Sequence, residues 1–428
     1  MKGRLNLFQS AMLRWRDLHP YTAVHVARIR EPFDRMRVES AIANQLSTAG
    51  LTGLVLDRAR RRYEYRGGPA IVELDVIAAT GDRHSAMRTE IERQLNRPFP
   101  QNGALVPFRF FAHDEGNEFD LGLAYDHFIA GGDSIVVLLN DIVFRYMGAS
   151  IQRPRPNLYP PTFRPIVARN AGKLIRGVRW LPRIAASCRR GIRPRFTDPA
   201  DGYNAFDFIT LPAPAVGALH AKAKSLGVTF NDLLIAIILK ALARDLPERS
   251  RVGRRREIAV ASIVNLRSES GVTARETFGQ FLSSMRLSHP MPDGIALDAL
   301  ACDIHRETMR FKRGKLYLQT LLAVRINGIV WSFLNAGRRQ RLYAKAYPVL
   351  AGLTSLNVDA LWQAPVKDGT APAYLRAVPT GPIAPLVIAA TSSGNELSLG
   401  LSYRRSALTP SKVATIGSVV ADCVCSLQ

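Results

Sequence analysis
A chain of 428 residues with 47% hydrophobic content is long enough for two domains with proper cores, which excludes a disordered or collagen-like protein. The formal net charge of +23 is extreme, and about half of it falls in residues 151–195, which carry twelve Lys or Arg and no Asp or Glu. Such a run is either a solvated basic linker or a surface that meets something anionic; with no recognisable DNA or RNA module beside it, nucleic acid is not expected. The opening MKGRLNLFQSAMLRWRD has no apolar core of leader length because Arg14 and Arg16 interrupt it, so a cytoplasmic protein is expected. Cys188, Cys302, Cys423 and Cys425 lack zinc or redox spacing and read as reduced and structural.

In chain order, an apolar element with Phe8, Met12, Leu13 and Trp15 precedes an alternating run at 21–29, which predicts a strand in which His25 is an ordinary strand histidine. An amphipathic helix follows over 36–46, then short strands near 62–65 and 71–76, then a helix over 84–95. Arg97-Pro98-Phe99 stops that helix, and 104–111 reads as a strand. Residues 118–125 (EFDLGLAY) alternate with the period of a strand that has one buried face. Residues 134–146 (SIVVLLNDIVFRY) repeat apolar side chains at helical spacing, behind Asp133 and Ser134, which suit an N-cap. Between them lies Asp126-His127-Phe128-Ile129-Ala130-Gly131-Gly132. A histidine where a strand bends into a helix is held firmly yet reaches a cavity, a good position for a catalytic base.

Past residue 150 a proline-rich piece (RPRPNLYPPTFRP) must be extended. Over 166–188, Val167, Ala171, Leu174, Val178, Leu181, Ala185 and Cys188 recur at steps of three and four, with Arg169, Lys173, Arg176, Arg183 and Arg190 largely off that face. This predicts a basic amphipathic helix, weakened by Gly172, Gly177 and Pro182, that either lies in a membrane interface or crosses between lobes with its stripe packed on protein. A strand over 205–211 and a helix over 213–226 lead to Thr229-Phe230-Asn231-Asp232, a capping-box pattern that opens an apolar helix over 233–246. A buried strand at 256–266 ends at Arg267, and the 278–285 stretch (FGQFLSSM) carries Gly279, where backbone or ligand can approach closely. Residues 304–347 read as helical and basic. The apolar run 317–337 has Arg325 and Asn327 at its middle, and a central Arg costs about 2.5–3.5 kcal/mol on insertion, so a buried or lipid-facing helix is expected rather than a span. The strand at 352–358 (GLTSLNV) offers the hydroxyls of Thr354 and Ser355 either to a developing negative charge or only to solvent. A hairpin over 385–391 and 396–403 and a helix over 410–427 close the chain.

The stretch around His127 resembles the active-site motif of the CoA-dependent acyltransferase superfamily, which includes chloramphenicol acetyltransferase, the condensation domains of peptide synthetases and the wax ester synthases. That motif is His-His-x-x-x-Asp-Gly, with the second His catalytic. Here Asp126 takes the first His, His127 the second, Gly131 the Asp and Gly132 the Gly. In the family the Asp is mainly structural and bridges to an Arg of the second half, and Arg267 in Val264-Asn265-Leu266-Arg267 looks like that Arg. Gly131 cannot make the bridge, which leaves Asp133 as the nearby substitute. Gly-Val-Thr-x-Asn-Asp-Leu-Leu at 227–234 and the 278–285 and 352–358 strands are similar to family segments at the same points.

The resemblance implies an α/β (α+β) fold of two chloramphenicol acetyltransferase-like lobes, each a mixed sheet with flanking helices, meeting in a V around a central tunnel. The lobes would be 1–150 and 201–428, joined by a basic crossover over 151–200. It implies a stand-alone acyltransferase in which His127, as general base, moves an acyl group from acyl-CoA or from the acyl-phosphopantetheine of an acidic acyl carrier protein to a hydroxyl or amine. No metal and no bound cofactor are needed. Ser134, Gly279, Thr354, Ser355 and Asn357 would line the tunnel or hold an oxyanion. The basic segment suggests a peripheral association with an anionic membrane surface on its inner face. The competing reading is a condensation-like binding or scaffold protein that keeps the tunnel without turnover, for which Asp126 and Gly131 speak. An epimerase or cyclisation activity ranks behind both, because no carrier domain with its Ser attachment motif is recognisable.

Overall fold
The computed structural model describes residues 1–427 apart from 78–81, 101–103, 150–153, 159–162, 245, 247–252 and 365–370. The lobe boundary expected near residue 150, and much of the proline-rich piece, lie outside the described residues.

Strands with alternating burial and apolar helices assemble into two principal mixed sheets. The five-stranded sheet has the order Tyr374–Ala377, Thr22–Ile29, Phe119–Asp126, Phe108–Asp114, Leu74–Ile77, antiparallel except for its last pair. Its helices include Arg35–Ala49, Arg83–Asn96 and Gly132–Tyr146. The six-stranded sheet has the order Asn204–Leu211, Glu396–Arg404, Leu386–Ser393, Ala351–Asn357, Ile258–Asn265, Leu282–His289, with Ala351–Asn357 parallel to both neighbours. Its core is sealed by Phe230–Arg244, a helix that is apolar almost all round and buried accordingly. The capping box expected there is present: Thr229 Oγ1 accepts from Asp232 N–H (3.2 Å), and Asp232 Oδ2 accepts from Thr229 N–H (3.2 Å).

One strand ties the two sheets together. Tyr374–Ala377 comes from the second half of the chain, yet it pairs antiparallel with Thr22–Ile29, setting Arg376 opposite His25. It also lies directly on the other sheet: a Cβ at Gly400 would come within 2.0 Å of the Arg376 carbonyl oxygen, so only glycine fits there.

Two expectations change in the structure. The helix after His127 begins at Gly132 with Gly131 in the cap position, so Asp133 and Ser134 fall in its first turn. Their side chains are drawn sideways to Arg267 instead of capping. The continuous helix over 166–188 is broken into Arg164–Arg169, Ala171–Val178 and Leu181–Arg190. Asn170 Nδ2 donates to the Ile166 carbonyl (2.8 Å) and ends the first piece, and Pro182 has no N–H to give to the second. Only part of the stripe packs on protein: Leu174 does, whereas Val167, Val178 and Leu181 are 41%, 50% and 37% exposed. The apolar run at 317–337 agrees with expectation: it holds the helix Gln319–Ser332, and among the described residues no single helix is long and apolar enough to cross a membrane.

Candidate active site
His127 directly follows Phe119–Asp126, a strand buried at every position and flanked by a partner on each side. The backbone is therefore fixed where the loop begins: Asp126 N–H donates to Pro107 O and His127 N–H to Tyr21 O, both at 3.1 Å. The second half of the chain holds the same loop from the other side. Gln280 Nε2 donates to the carbonyls of His127 and Ala130, and Gly131 N–H donates to Gly279 O (3.0 Å). Gly279 (φ 147°) is thus the close backbone approach expected of it, made to the loop itself.

The imidazole is 6% exposed and lies between the rings of Tyr21 and Tyr125, with centroids 5.4 and 5.7 Å away. Nδ1 is buried without a partner, and Nε2 makes no hydrogen bond among the described residues. Burial, helped by the Arg376 guanidinium, pushes the pKa of His127 down to about 4, so the ring is neutral at neutral pH and keeps a lone pair to accept a proton. Arg376 is itself 2% exposed. Its Nε donates to Thr391 Oγ1 (2.9 Å), and its Nη2 to the carbonyls of Thr354 (2.9 Å) and Ala390 (2.7 Å). Nη1 makes no hydrogen bond among the described residues. Burial lowers this guanidinium to about 10 while the Tyr125, Tyr374 and Asp133 side chains oppose the shift, so it remains a cation. A Cβ at Gly132 would sit 3.1 Å from Arg376 Nη1 and 3.4 Å from His25 Cε1, so the motif glycine lets this cluster close. His25 is fully buried, bonds Tyr374 Oη through Nδ1 (2.9 Å), and is held well below its usual pKa by burial, Arg376 and His127.

Beneath the loop lies the brace. Arg267, 5% exposed, forms a buried ion pair with Asp133 through Nε and Oδ2, and its Nη2 reaches Asp133 Oδ1 at 3.3 Å. Asn265 Nδ2 also donates to Asp133 Oδ2 (3.0 Å). Arg267 Nη2 donates to Ser134 Oγ (2.6 Å), Nη1 donates to Thr277 O (3.0 Å), and the guanidinium stacks 4.2 Å over Phe281. The substitute carboxylate at Asp133 therefore reaches the Arg. Ser134 is spent in the same brace and also accepts from Gly279 N–H (3.2 Å).

Asp126 faces away from the brace. It pairs with Arg16, and burial pushes its carboxyl up to about 6 against the pull of Arg16, Arg109 and Arg58. With Tyr21 it lines a cavity of about 260 Å³, bounded also by Arg16, His19, Pro98 and Phe99.

The remaining expected site residues divide. Thr354 touches the cluster through its carbonyl, bonded to Arg376. Ser355 and Asn357 line a separate cavity of about 450 Å³ with Val216, His220 and Asn231, and are not brought to His127. Strand alternation explains the split, because neighbours in a strand face opposite sides of the sheet. Sequence reasoning missed Arg376, His25, Tyr21 and Gln280. For Arg376 a signal existed: a lone cation inside the apolar run Tyr374-Leu375-Arg376-Ala377-Val378 must find buried partners.

No protein-family profile matches the chain, and no curated protein matches it. Solved structures do. SgcC5 from Streptomyces globisporus is similar at TM-score 0.69 and 14% identity, over 99% of this chain and 98% of that one. The first condensation domain of the CDA synthetase is similar at TM-score 0.67 and 16% identity, over 99% and 97%. A mutant starter condensation domain of rhizomide synthetase, in complex with C8-CoA, is similar at TM-score 0.68 and 13% identity, over 100% and 95%. The fold is that of the condensation domains.

Proposed function
We propose that this chain transfers an acyl group from a thioester, on CoA or on the phosphopantetheine of an acyl carrier protein, to a hydroxyl or amine, with His127 as general base. The observation that carries the reading is the placement of a neutral, unbonded imidazole on a loop braced from the second lobe by Arg267 and Asp133. In the reaction, the lone pair of the acceptor oxygen or nitrogen attacks the thioester carbonyl carbon while its proton passes to His127. The carbonyl oxygen takes up the negative charge. Arg376 Nη1 is a cationic donor available to it, and such a preplaced donor is worth about 2.7–4 kcal/mol in known oxyanion holes. The carbonyl then re-forms, the C–S bond breaks, and the proton leaves His127 for the thiolate sulfur. The atoms balance without a covalent enzyme intermediate.

Arg376 disfavours a protonated His127 in the resting site. Once the oxyanion forms, its charge offsets that cost, so the base is strongest when the tetrahedral intermediate is present. The C8-CoA complex of the similar rhizomide domain supports a thioester donor. A second reading, binding without turnover, is favoured by the near-complete enclosure of His127. A panel of acyl-CoAs and acyl carrier proteins with a metabolite extract as acceptor source separates the two. Free thiol and acylated acceptor formed in equal amounts support transfer; thioester bound and recovered intact supports the binding protein.

A further inference from the structure
We propose that the face formed by the helices Ala171–Val178 and Gln319–Ser332 docks on an anionic lipid bilayer. Fourteen large hydrophobic residues are exposed among the described residues, and nine of them lie between Val167 and Leu181 or between Leu322 and Phe333. On Gln319–Ser332 and the residue after it, Leu322, Ile326, Ile329, Val330 and Phe333 follow steps of four, three, one and three, which place them on one helix face. Ile326, Ile329 and Phe333 are 50%, 59% and 83% exposed, and Ile175 on the neighbouring helix is 73% exposed. Trp331 points the other way into the core, beside Tyr343.

The two helices form one surface. Gln319 Nε2 donates to the Leu174 carbonyl (2.8 Å), and a Cβ at Gly177 would strike Gln319 Nε2 at 2.5 Å. Leu174 and Val324 both pack onto the buried cluster of Phe8, Tyr317 and Leu321. The inner sides are thus covered by protein, and the outer sides carry the exposed aliphatics.

The charge of this surface selects the partner. Residues 151–195 hold twelve Lys or Arg and residues 309–358 hold nine, with no Asp or Glu in either stretch, which accounts for nearly all of the net +23. Between Leu181–Arg190, Gln319–Ser332 and the edge strand Leu282–His289 lies a chamber of about 710 Å³ lined by nine cationic side chains and two acidic ones. Glu257 and Glu307 are taken by Arg190 and Arg310. Arg286, 7% exposed, keeps a buried Nη2 with no partner. Aliphatic side chains on an outer face, bordered by Arg and Lys, are the composition of a helix lying in a bilayer interface. An acidic protein or a nucleic acid would use the charge but leave Ile329 and Phe333 in water.

The test is flotation of the full chain with vesicles, which is independent of the proposed acyl transfer because no turnover is read. With phosphatidylcholine vesicles containing about one-third phosphatidylserine at low ionic strength, the protein floats; with phosphatidylcholine alone, or at about 1 M salt, it does not. Ile329→Glu with Phe333→Glu lowers binding at least about tenfold, and Arg176→Ala with Arg179→Ala lowers it roughly fivefold per charge, both with an unchanged thermal midpoint. The proposal is overturned if the native protein stays unbound with anionic vesicles, or if the Ile329 and Phe333 variant binds them as tightly as the native protein. Tight capture of an acidic carrier protein or of DNA with no vesicle binding likewise overturns it.

Discussion
Replacing Asp133 with Asn tests whether the brace has moved from motif position 131 to 133. Asp133 Oδ2 accepts from Arg267 Nε and Asn265 Nδ2, and Oδ1 accepts from Ser134 N–H (3.0 Å) and Arg267 Nη2 (3.3 Å). An amide keeps the shape, removes the charge and points a donor at the guanidinium. Breaking a buried pair from one side costs about 3–5 kcal/mol. Arg267 keeps Ser134 Oγ and Thr277 O as acceptors, which places the change at the low end. With an unfolding entropy of about 2.1 cal/mol/K per residue, a chain of 428 residues shifts by about 1 °C per kcal/mol, so a loss of about 3 kcal/mol lowers the thermal midpoint by about 3 °C. Scanning calorimetry of native and Asp133→Asn protein reads this directly. Adding Gly131→Asp to that variant rebuilds the carboxylate at the family's position. Gly131 has φ −84° and ψ 164°, open to any residue, and its Cβ would lie 3.2 Å from Asp133 Oδ1. The double variant is expected to recover at least half of the loss. A midpoint for Asp133→Asn within about 1 °C of native would refute the brace.

Other expectations follow from the same geometry. Because His127 is neutral down to about pH 4 in the folded chain and titrates near 6.5 when unfolded, the unfolded state binds the extra proton between these values, so stability falls as pH drops through that window. The difference is worth about 3 kcal/mol, and His127→Gln flattens that part of a stability-versus-pH curve; an unchanged slope would contradict the assignment. Arg376→Gln raises the His127 pKa, visible in histidine NMR titrations, and a lower or unchanged value would mean Arg376 does not act on it. Gly132→Ala displaces Arg376 Nη1 and lowers kcat about tenfold with a loss of stability below about 1 kcal/mol; full activity would remove Arg376 from the reaction. Gln280→Ala strands two buried carbonyls at about 1–3 kcal/mol each, read by calorimetry, and a neutral result would show that the loop holds itself.

Local signals carried most of the element order. The capping box at Thr229 and Asp232, the strand into His127 and the closing hairpin each have a cause within a few residues, and each is present. The shift of the brace to Asp133 was legible for the same reason, since one turn of helix holds both the lost position and its replacement. The surroundings of His127 were not legible, because they depend on pairing across hundreds of residues. His25 reads as an ordinary strand histidine until Tyr374–Ala377 crosses to lie beside it, and no local pattern reports that crossing. Ser355 and Asn357 show the complementary limit: alternation assigns them a common face but does not say which face turns to the site. The linker failed differently, since its apolar spacing is helical while Asn170 and Pro182 divide it.

The central claim is that His127 performs the proton transfer, and single-turnover thiol release by native and His127→Ala protein tests it most directly. With whichever donor the native protein consumes, the account predicts a fall of about 10²–10⁴ in rate for His127→Ala, with the near-ultraviolet circular dichroism unchanged. A folded His127→Ala protein that releases thiol at the native rate would contradict it.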